Sequence, residues 1–141
     1  MKILNFFLYI LFFMILNIQT VYPNELRSLD ELINNNESNK EKSIEIMQRC
    51  AAIYGALYYI NTTDINYKEY ENRSKIFLQS AILEDIKINN KKEEIAYKNN
   101  IDEFKSTISF IIQIFLQNMK TNNSFLKDHW IENDFIICEK Y

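Results

Sequence analysis

Glycine and proline are nearly absent from this chain, which has one of each among its 141 residues. All-β folds need frequent tight turns, and these residues form many of them, so their scarcity argues against a β-sandwich or barrel. The chain also has 1 histidine and 2 cysteines. Those are too few ligands for a tetrahedral metal site, so we expect neither a metal site nor a bound cofactor.

An excess of positive charge is lacking as well. The chain carries 16 Lys and Arg against 19 Asp and Glu, which gives a net charge of −3. Proteins that bind nucleic acid present a basic face to the phosphates, so this balance argues against a nucleic-acid partner. Hydrophobic residues make up 48% of the chain and aromatic residues 14%, which is enough for a packed core.

Residues 1–22 have the pattern of an export signal. Lys2 gives a positive start, residues 3–18 are apolar apart from Asn5 and Asn17, and a polar exit follows as far as Pro23. Export machinery recognises this order of charge, apolar core and polar exit. The pattern predicts a signal peptide over residues 1–22 and a single helical domain over residues 23–141, in the periplasm or secreted.

An uncleaved anchor is the alternative interpretation of the same segment. Residues 3–22 have about the length of a membrane-spanning helix, and no small-x-small cleavage motif precedes Pro23. The chain would then be anchored in the inner membrane by residues 3–22, and a membrane would be its partner only in that case.

Apolar residues at helical spacing predict an all-α domain. One stripe, on a segment that has no charge over residues 50–60, consists of Ile46, Cys50, Ile53, Leu57 and Ile60. This pattern predicts a helix that is buried on most sides. Further helices are predicted over residues 28–33, 66–88 and 93–119, with polar turns between them. We expect a small antiparallel bundle of about three to four helices, preceded by the signal or anchor helix.

Cys50 and Cys138 are the candidate disulfide. An even number of cysteines in an exported chain indicates a bridge, and this pair allows a single intramolecular connection. The apolar residues before Cys138 need a surface on which to dock, and docking on the helix of Cys50 brings the sulfur atoms together. Asp134 is expected to cap a short final helix that ends at Cys138. Two buried free thiols are the alternative.

No catalytic residues are recognisable. His129 is the lone histidine, and the chain has no G-x-S-x-G elbow to place a nucleophile beside it, so we interpret it as a surface residue. Adjacent carboxylates diverge around a helix and are interpreted as solvated faces; these pairs are Glu84-Asp85, Glu93-Glu94 and Asp102-Glu103. A carboxylate pair that meets only in space, as in a glycan hydrolase, is not visible in sequence.

A group of tyrosines on either side of the turn after residue 60 forms the candidate binding surface. Tyrosine combines an apolar ring with a polar tip and is common in interfaces. The group is too large for one buried stripe, so we expect some members to be exposed or to line a cavity; they are Tyr54, Tyr58, Tyr59, Tyr67 and Tyr70. Ordinary packing at the edge of the core is the alternative.

The chain resembles small periplasmic helical proteins of proteobacteria. The resemblance is carried by two short patches, a Cys-Ala-Ala-x-Tyr-like run over residues 50–54 and a second cysteine at Cys138. It implies a periplasmic location and a disulfide, and it implies no activity.

These observations predict an exported, non-enzymatic helical protein that binds another envelope or extracellular protein, or a small apolar ligand. The first alternative is a membrane-anchored accessory subunit of an envelope complex. The second is a small cell-wall glycan hydrolase whose carboxylates are distant in sequence.

Overall fold

The structure, a computed structural model, describes residues 26–35 and 39–141. The described part contains helices and no strands, which confirms the all-α prediction; the helices are α1 (Leu29–Asn34), α2 (Asn39–Ile60), α3 (Tyr67–Asn89), α4 (Glu93–Asn122) and α5 (Trp130–Cys138). The predicted signal or anchor over residues 1–22 lies outside the described residues. None of the described helices is long and apolar enough to cross a membrane.

Helix α2 is at the centre of the packing. Its contacts with α3 run in opposite directions along the two helices, since Tyr54 lies beside Tyr70 and Tyr58 beside Tyr67. Residues 50–57 of α2 are all buried, as their lack of charge predicts. The hydrophobic core joins this segment to the apolar second half of α4, through residues that include Ile108, Ile111 and Phe115.

The single glycine lies where α2, α3 and α4 approach each other. A Cβ atom at Gly55 would lie 2.8 Å from Cδ1 of Ile108 and 3.0 Å from Oγ of Ser74. That hydroxyl donates to the carbonyl of Ala51 at 2.8 Å, so it is held in place. Glycine therefore allows a closer approach of these helices than any side chain would permit.

Asparagine occupies the position after α3 and after α4 at which helices often have glycine. Helix α3 is followed by Asn90 with φ 49°, and α4 by Asn123 with φ 53°. Among residues with a Cβ atom, asparagine tolerates this left-handed conformation well. The asparagine-rich turns therefore end the long helices in a chain with little glycine.

Helix α5 is fastened to α2 by a disulfide and a buried ion pair. Cys50 and Cys138 are bonded, with their Cα atoms 5.5 Å apart, as predicted. Asp134 accepts from the amide of Leu29 at 2.7 Å and from Nη1 of Arg49 at 3.0 Å. Because these residues join α1, α2 and α5, we call Leu29, Arg49, Cys50, Asp134 and Cys138 the clamp. Burial raises the pKa of Asp134 to about 6, although the Leu29 amide and Arg49 favour the charged form.

Candidate binding sites

The structure divides the candidate tyrosine surface into two groups. Tyr54 is fully buried and packs against Phe77, with ring centroids 5.8 Å apart, and against Tyr70 at 6.2 Å. Tyr58 and Tyr67 are half-buried and stack at 6.2 Å. Tyr59 packs edge-on against Tyr58 and is 65% exposed. Tyr54 is thus a core residue, and the partly buried Tyr70 packs against the core beside it. Tyr58, Tyr59 and Tyr67 form a surface group that we call the tyrosine patch.

The hydroxyl of Tyr54 connects the core to a groove at the surface. It donates to Oε1 of Glu139 and accepts from Nη1 of Arg73 at 2.8 Å. Burial, assisted by the carboxylate of Glu139, raises the pKa of Tyr54, so the hydroxyl keeps its proton. Arg73 also lies over the Tyr54 ring, 5.3 Å from its centroid, which gives the guanidinium a fixed position.

This groove, which we call the C-terminal groove, is built by α2, α3 and the residues after α5. Its volume is about 510 Å³, and it is lined by Met47, Arg73, Ile76, Phe77, Ser80, Glu139, Lys140 and Tyr141. Met47, Ile76 and Phe77 give it an apolar side, and Ile76 is 56% exposed although it is hydrophobic. Charged side chains from α3 and the C-terminal residues stand beside that apolar surface.

A second depression, the polar cleft, lies between α2, the end of α3 and the start of α4. Its volume is about 380 Å³. The lining is rich in amides and carboxylates and consists of Leu26, Glu41, Ile44, Glu45, Gln48, Arg49, Asp85, Asn89, Lys91, Asn99, Asn100, Glu103 and Thr107. The polar cleft thus differs from the C-terminal groove in the residues that line it.

Hydrogen bonds and an ion pair link five side chains of the polar cleft into one network. Asn100, which is 1% exposed, accepts from Nε2 of Gln48 at 2.7 Å and donates to Oδ2 of Asp85 at 3.0 Å. Asp85 also accepts from Asn89 at 2.6 Å and forms an ion pair with Lys91 at 3.0 Å. These bonds connect α2, α3 and α4.

Asp85 departs from the sequence interpretation. It was expected on a solvated helix face, but it is 4% exposed because it continues the buried stripe of Ser74 and Ala81. Burial alone would raise the pKa of Asp85, but the hydrogen bonds from Asn89, Lys91 and Asn100 outweigh it, and the net pKa lies below the usual value. A general acid needs the opposite shift, so this environment favours the ionised form of Asp85.

His129 is also placed differently from its interpretation as a surface residue. It is half-buried at the start of α5, where its Nδ1 accepts from the amide of Ile131 at 3.3 Å. Burial lowers the pKa of His129 and so favours the neutral ring. The hydrogen bond from Ile131 makes Nδ1 the acceptor, which leaves the ring proton on Nε2. Its role here is to cap α5. Within residues 26–35 and 39–141, no group of histidine, cysteine and acidic side chains is arranged to hold a metal ion.

Several residues of the two depressions were not singled out in the sequence, although a signal exists for some of them. Asn100 lies on the same helical stripe as the buried residues Ala96, Ile108 and Ile111. A polar residue on an apolar stripe points to a buried hydrogen bond. No comparable signal marks Ile76 or Lys140, since the groove joins segments that are distant in sequence.

The chain matches no protein family, no curated protein and no solved structure with which it was compared. The resemblance to small periplasmic helical proteins of proteobacteria therefore stays a prediction.

Proposed function

We propose that this chain is an exported, non-enzymatic binding protein that holds the apolar part of a small ligand in the C-terminal groove. The observation that carries this proposal is the groove itself. Its volume of about 510 Å³ falls in the range of about 300–1,000 Å³ that is typical of ligand pockets. An apolar side flanked by a few fixed polar groups is the usual composition of such pockets.

The rigidity of the groove supports a binding role. Phe77 stacks on the buried Tyr54 with an angle of 7° between the rings, and the polar groups of Arg73 and Glu139 are held by the Tyr54 hydroxyl. The disulfide at Cys138 immediately precedes the groove residues Glu139, Lys140 and Tyr141. A preformed pocket lowers the entropy cost of binding.

Export is supported by the pattern of residues 1–22 and by the bonded cysteine pair, since disulfides persist in oxidising compartments. The periplasm or the extracellular medium is therefore the proposed location. Anchoring by residues 3–22 is the alternative form of this proposal, and the mass of the mature protein distinguishes the two.

The test uses N-phenylnaphthylamine, a neutral apolar dye whose fluorescence rises in apolar surroundings. Ile76→Glu places a charge beside the apolar side of the groove and is expected to weaken dye binding about tenfold or more. The matched control is Leu83→Glu, because Leu83 lies on the same helix, is 66% exposed and does not line the groove. Equal dye binding by both variants, or no dye binding by the unmodified protein, would refute the proposal.

The tyrosine patch supports a second candidate, a surface for a partner protein of the envelope or extracellular space. Tyr59 is 65% exposed, and Ile65, in the turn between α2 and α3, is 93% exposed. Exposed aromatic and apolar side chains of this kind mark protein interfaces. Co-purification from the native envelope should lose the partner in Tyr59→Ser and retain it in the control Tyr97→Ser, since Tyr97 is exposed on α4.

A further inference from the structure

Some hydrogen-bond donors at the polar edge of the C-terminal groove have no acceptor among the described residues. Arg73 uses Nη1 on Tyr54 and Glu139, and Nε on Glu69 at 3.2 Å. Its Nη2 has no acceptor in the part of the chain that the structure describes. Because the other contacts fix the plane of the guanidinium, the free Nη2 is presented in a defined direction.

Lys140 adds a second cation at the same edge. Its ammonium group forms neither an ion pair nor a hydrogen bond with residues 26–35 and 39–141. The carboxylate in the lining, Glu139, is already paired with Arg73 at 3.2 Å. Arg73 is shared by two carboxylates, Glu139 and Glu69, and Lys140 is the cation of the lining that has no partner among the described residues.

From this arrangement we infer that the ligand of the groove is a single-chain amphiphile with an anionic head group. The inference rests on the proposed function. The alkyl chain lies against Met47, Ile76 and Phe77, and a carboxylate or similar acceptor receives hydrogen bonds from Arg73 and Lys140. Arginine and lysine bind such oxyanions through charge-assisted hydrogen bonds.

Charge complementarity selects this occupant over a neutral or a cationic amphiphile. The whole chain has a net charge of −3, and the polar cleft carries Glu41, Glu45 and Glu103, none of which is in an ion pair within the described residues. The C-terminal groove combines an apolar side with an unpaired cation. A cationic head would instead be repelled by Lys140.

The experiment compares decanoate, decanol and decyltrimethylammonium, which share a chain length and differ in head-group charge. Each is titrated calorimetrically, below its micelle concentration, into the disulfide-bonded protein. We expect decanoate to bind about fivefold or more tightly than decanol, the gain from one screened ion pair, and decyltrimethylammonium to bind most weakly. Lys140→Gln should remove most of the preference for decanoate, whereas the control Lys98→Gln, at an exposed lysine of α4, should keep it.

The outcomes separate this inference from the proposed function. If decanol and decanoate bind equally, and both are lost in Ile76→Glu, the groove is confirmed and the anionic head group is refuted. Decyltrimethylammonium binding as tightly as decanoate would refute it as well. If no alkyl compound binds, the proposed function itself fails. Binding only to vesicles that contain phosphatidylglycerol, with no binding of monomeric decanoate, would overturn the inference in favour of a membrane surface.

Discussion

The polar cleft and the C-terminal groove share α2 and α3 as walls, yet their polar groups are used in opposite ways. In the cleft, Gln48, Asn100 and Asp85 satisfy one another across three helices. In the groove, Arg73 and Lys140 keep donors that have no acceptor among the described residues, beside an exposed apolar surface. A depression lined by many polar residues is thus part of the architecture when those residues bind one another, whereas unused polar groups leave the groove with donors that a ligand could engage.

This contrast predicts that changes in the cleft mainly alter stability, and that changes in the groove mainly alter binding. A buried polar group that loses its hydrogen-bond partner is still shielded from water, so the free-energy cost of its desolvation is no longer compensated. An exposed groove residue has little native packing to lose.

Removal of the disulfide should have the largest effect and should affect the groove more than the cleft. The bond joins residues separated by 88 positions, and closing a loop of this size stabilises a fold by about 4 kcal/mol. We expect the double variant Cys50→Ala/Cys138→Ala to lose roughly that free energy of unfolding in urea titrations. Binding of N-phenylnaphthylamine should also be lost, because Glu139, Lys140 and Tyr141 are no longer held.

Hydrogen exchange provides the control for this variant. Backbone amides around Asn100 should stay protected in the double variant, whereas those of α5 should exchange faster. If the groove still bound the dye with unchanged affinity, its dependence on the disulfide would be disproved.

Replacement of Asn100 should give the next largest effect. Asn100→Ala leaves Gln48 without its acceptor and removes one donor from Asp85. A loss of about 1–3 kcal/mol in the free energy of unfolding is expected. Dye binding in the groove should not change.

Asn99→Ala is the matched control for Asn100→Ala. Asn99 also lines the polar cleft, but it is exposed and takes no part in the network. Its replacement should change stability by less than about 0.5 kcal/mol. Equal effects at the two positions would mean that the network contributes nothing to stability.

Acid should weaken the hydrogen-bond network of the polar cleft by protonating Asp85. Its pKa in the folded protein lies below the usual value, so the carboxylate stabilises the fold above its unfolded pKa of about 3.9. This stabilisation is lost as the pH falls from there through the lower pKa of the folded state. The free energy of unfolding of Asp85→Asn should therefore depend less on pH between about 5 and 2. The exposed Asp102→Asn is the control, and an unchanged pH dependence in Asp85→Asn would contradict the prediction.

The smallest effect on stability is expected in the groove. Ile76→Glu and Leu83→Glu both replace exposed apolar residues of α3, so each should change the free energy of unfolding by less than about 0.5 kcal/mol. Urea titration is the measurement. A loss of about 2 kcal/mol or more in Ile76→Glu alone would place Ile76 in the core and remove it from a ligand site.

Local sequence patterns were sufficient to predict the helices and the core of α2. The uncharged stretch after Arg49 predicts burial because no side chain in it requires water, and residues 50–57 are all buried. The cysteine pairing was predictable because only one pairing exists. The helices and the core of α2 follow from residues that are close in sequence, and the disulfide follows from the number of cysteines. Neither prediction requires knowledge of the tertiary arrangement.

The clamp shows what local patterns do not contain. Asp134 was expected to cap the last helix, but it lies inside α5 and accepts from the amide of Leu29 at the start of α1. His129 caps α5 instead. The partners Leu29 and Asp134 are 105 residues apart, and only the packing of α1 against α5 brings them together. The groove was hidden for the same reason, since α2, α3 and the C-terminal residues each supply one side.

Complete burial of both disulfide sulfur atoms has a consequence for handling the protein. Cys50 and Cys138 are 0% exposed, so neither thiol reagents nor reductants reach them while the fold is closed. A thiol assay on the native protein should therefore give zero whether the bond is intact or reduced. The oxidation state is set in the compartment where the chain folds, and later transfer to a reducing buffer should leave it unchanged until the protein opens. The true state is seen only when alkylation is carried out in denaturant.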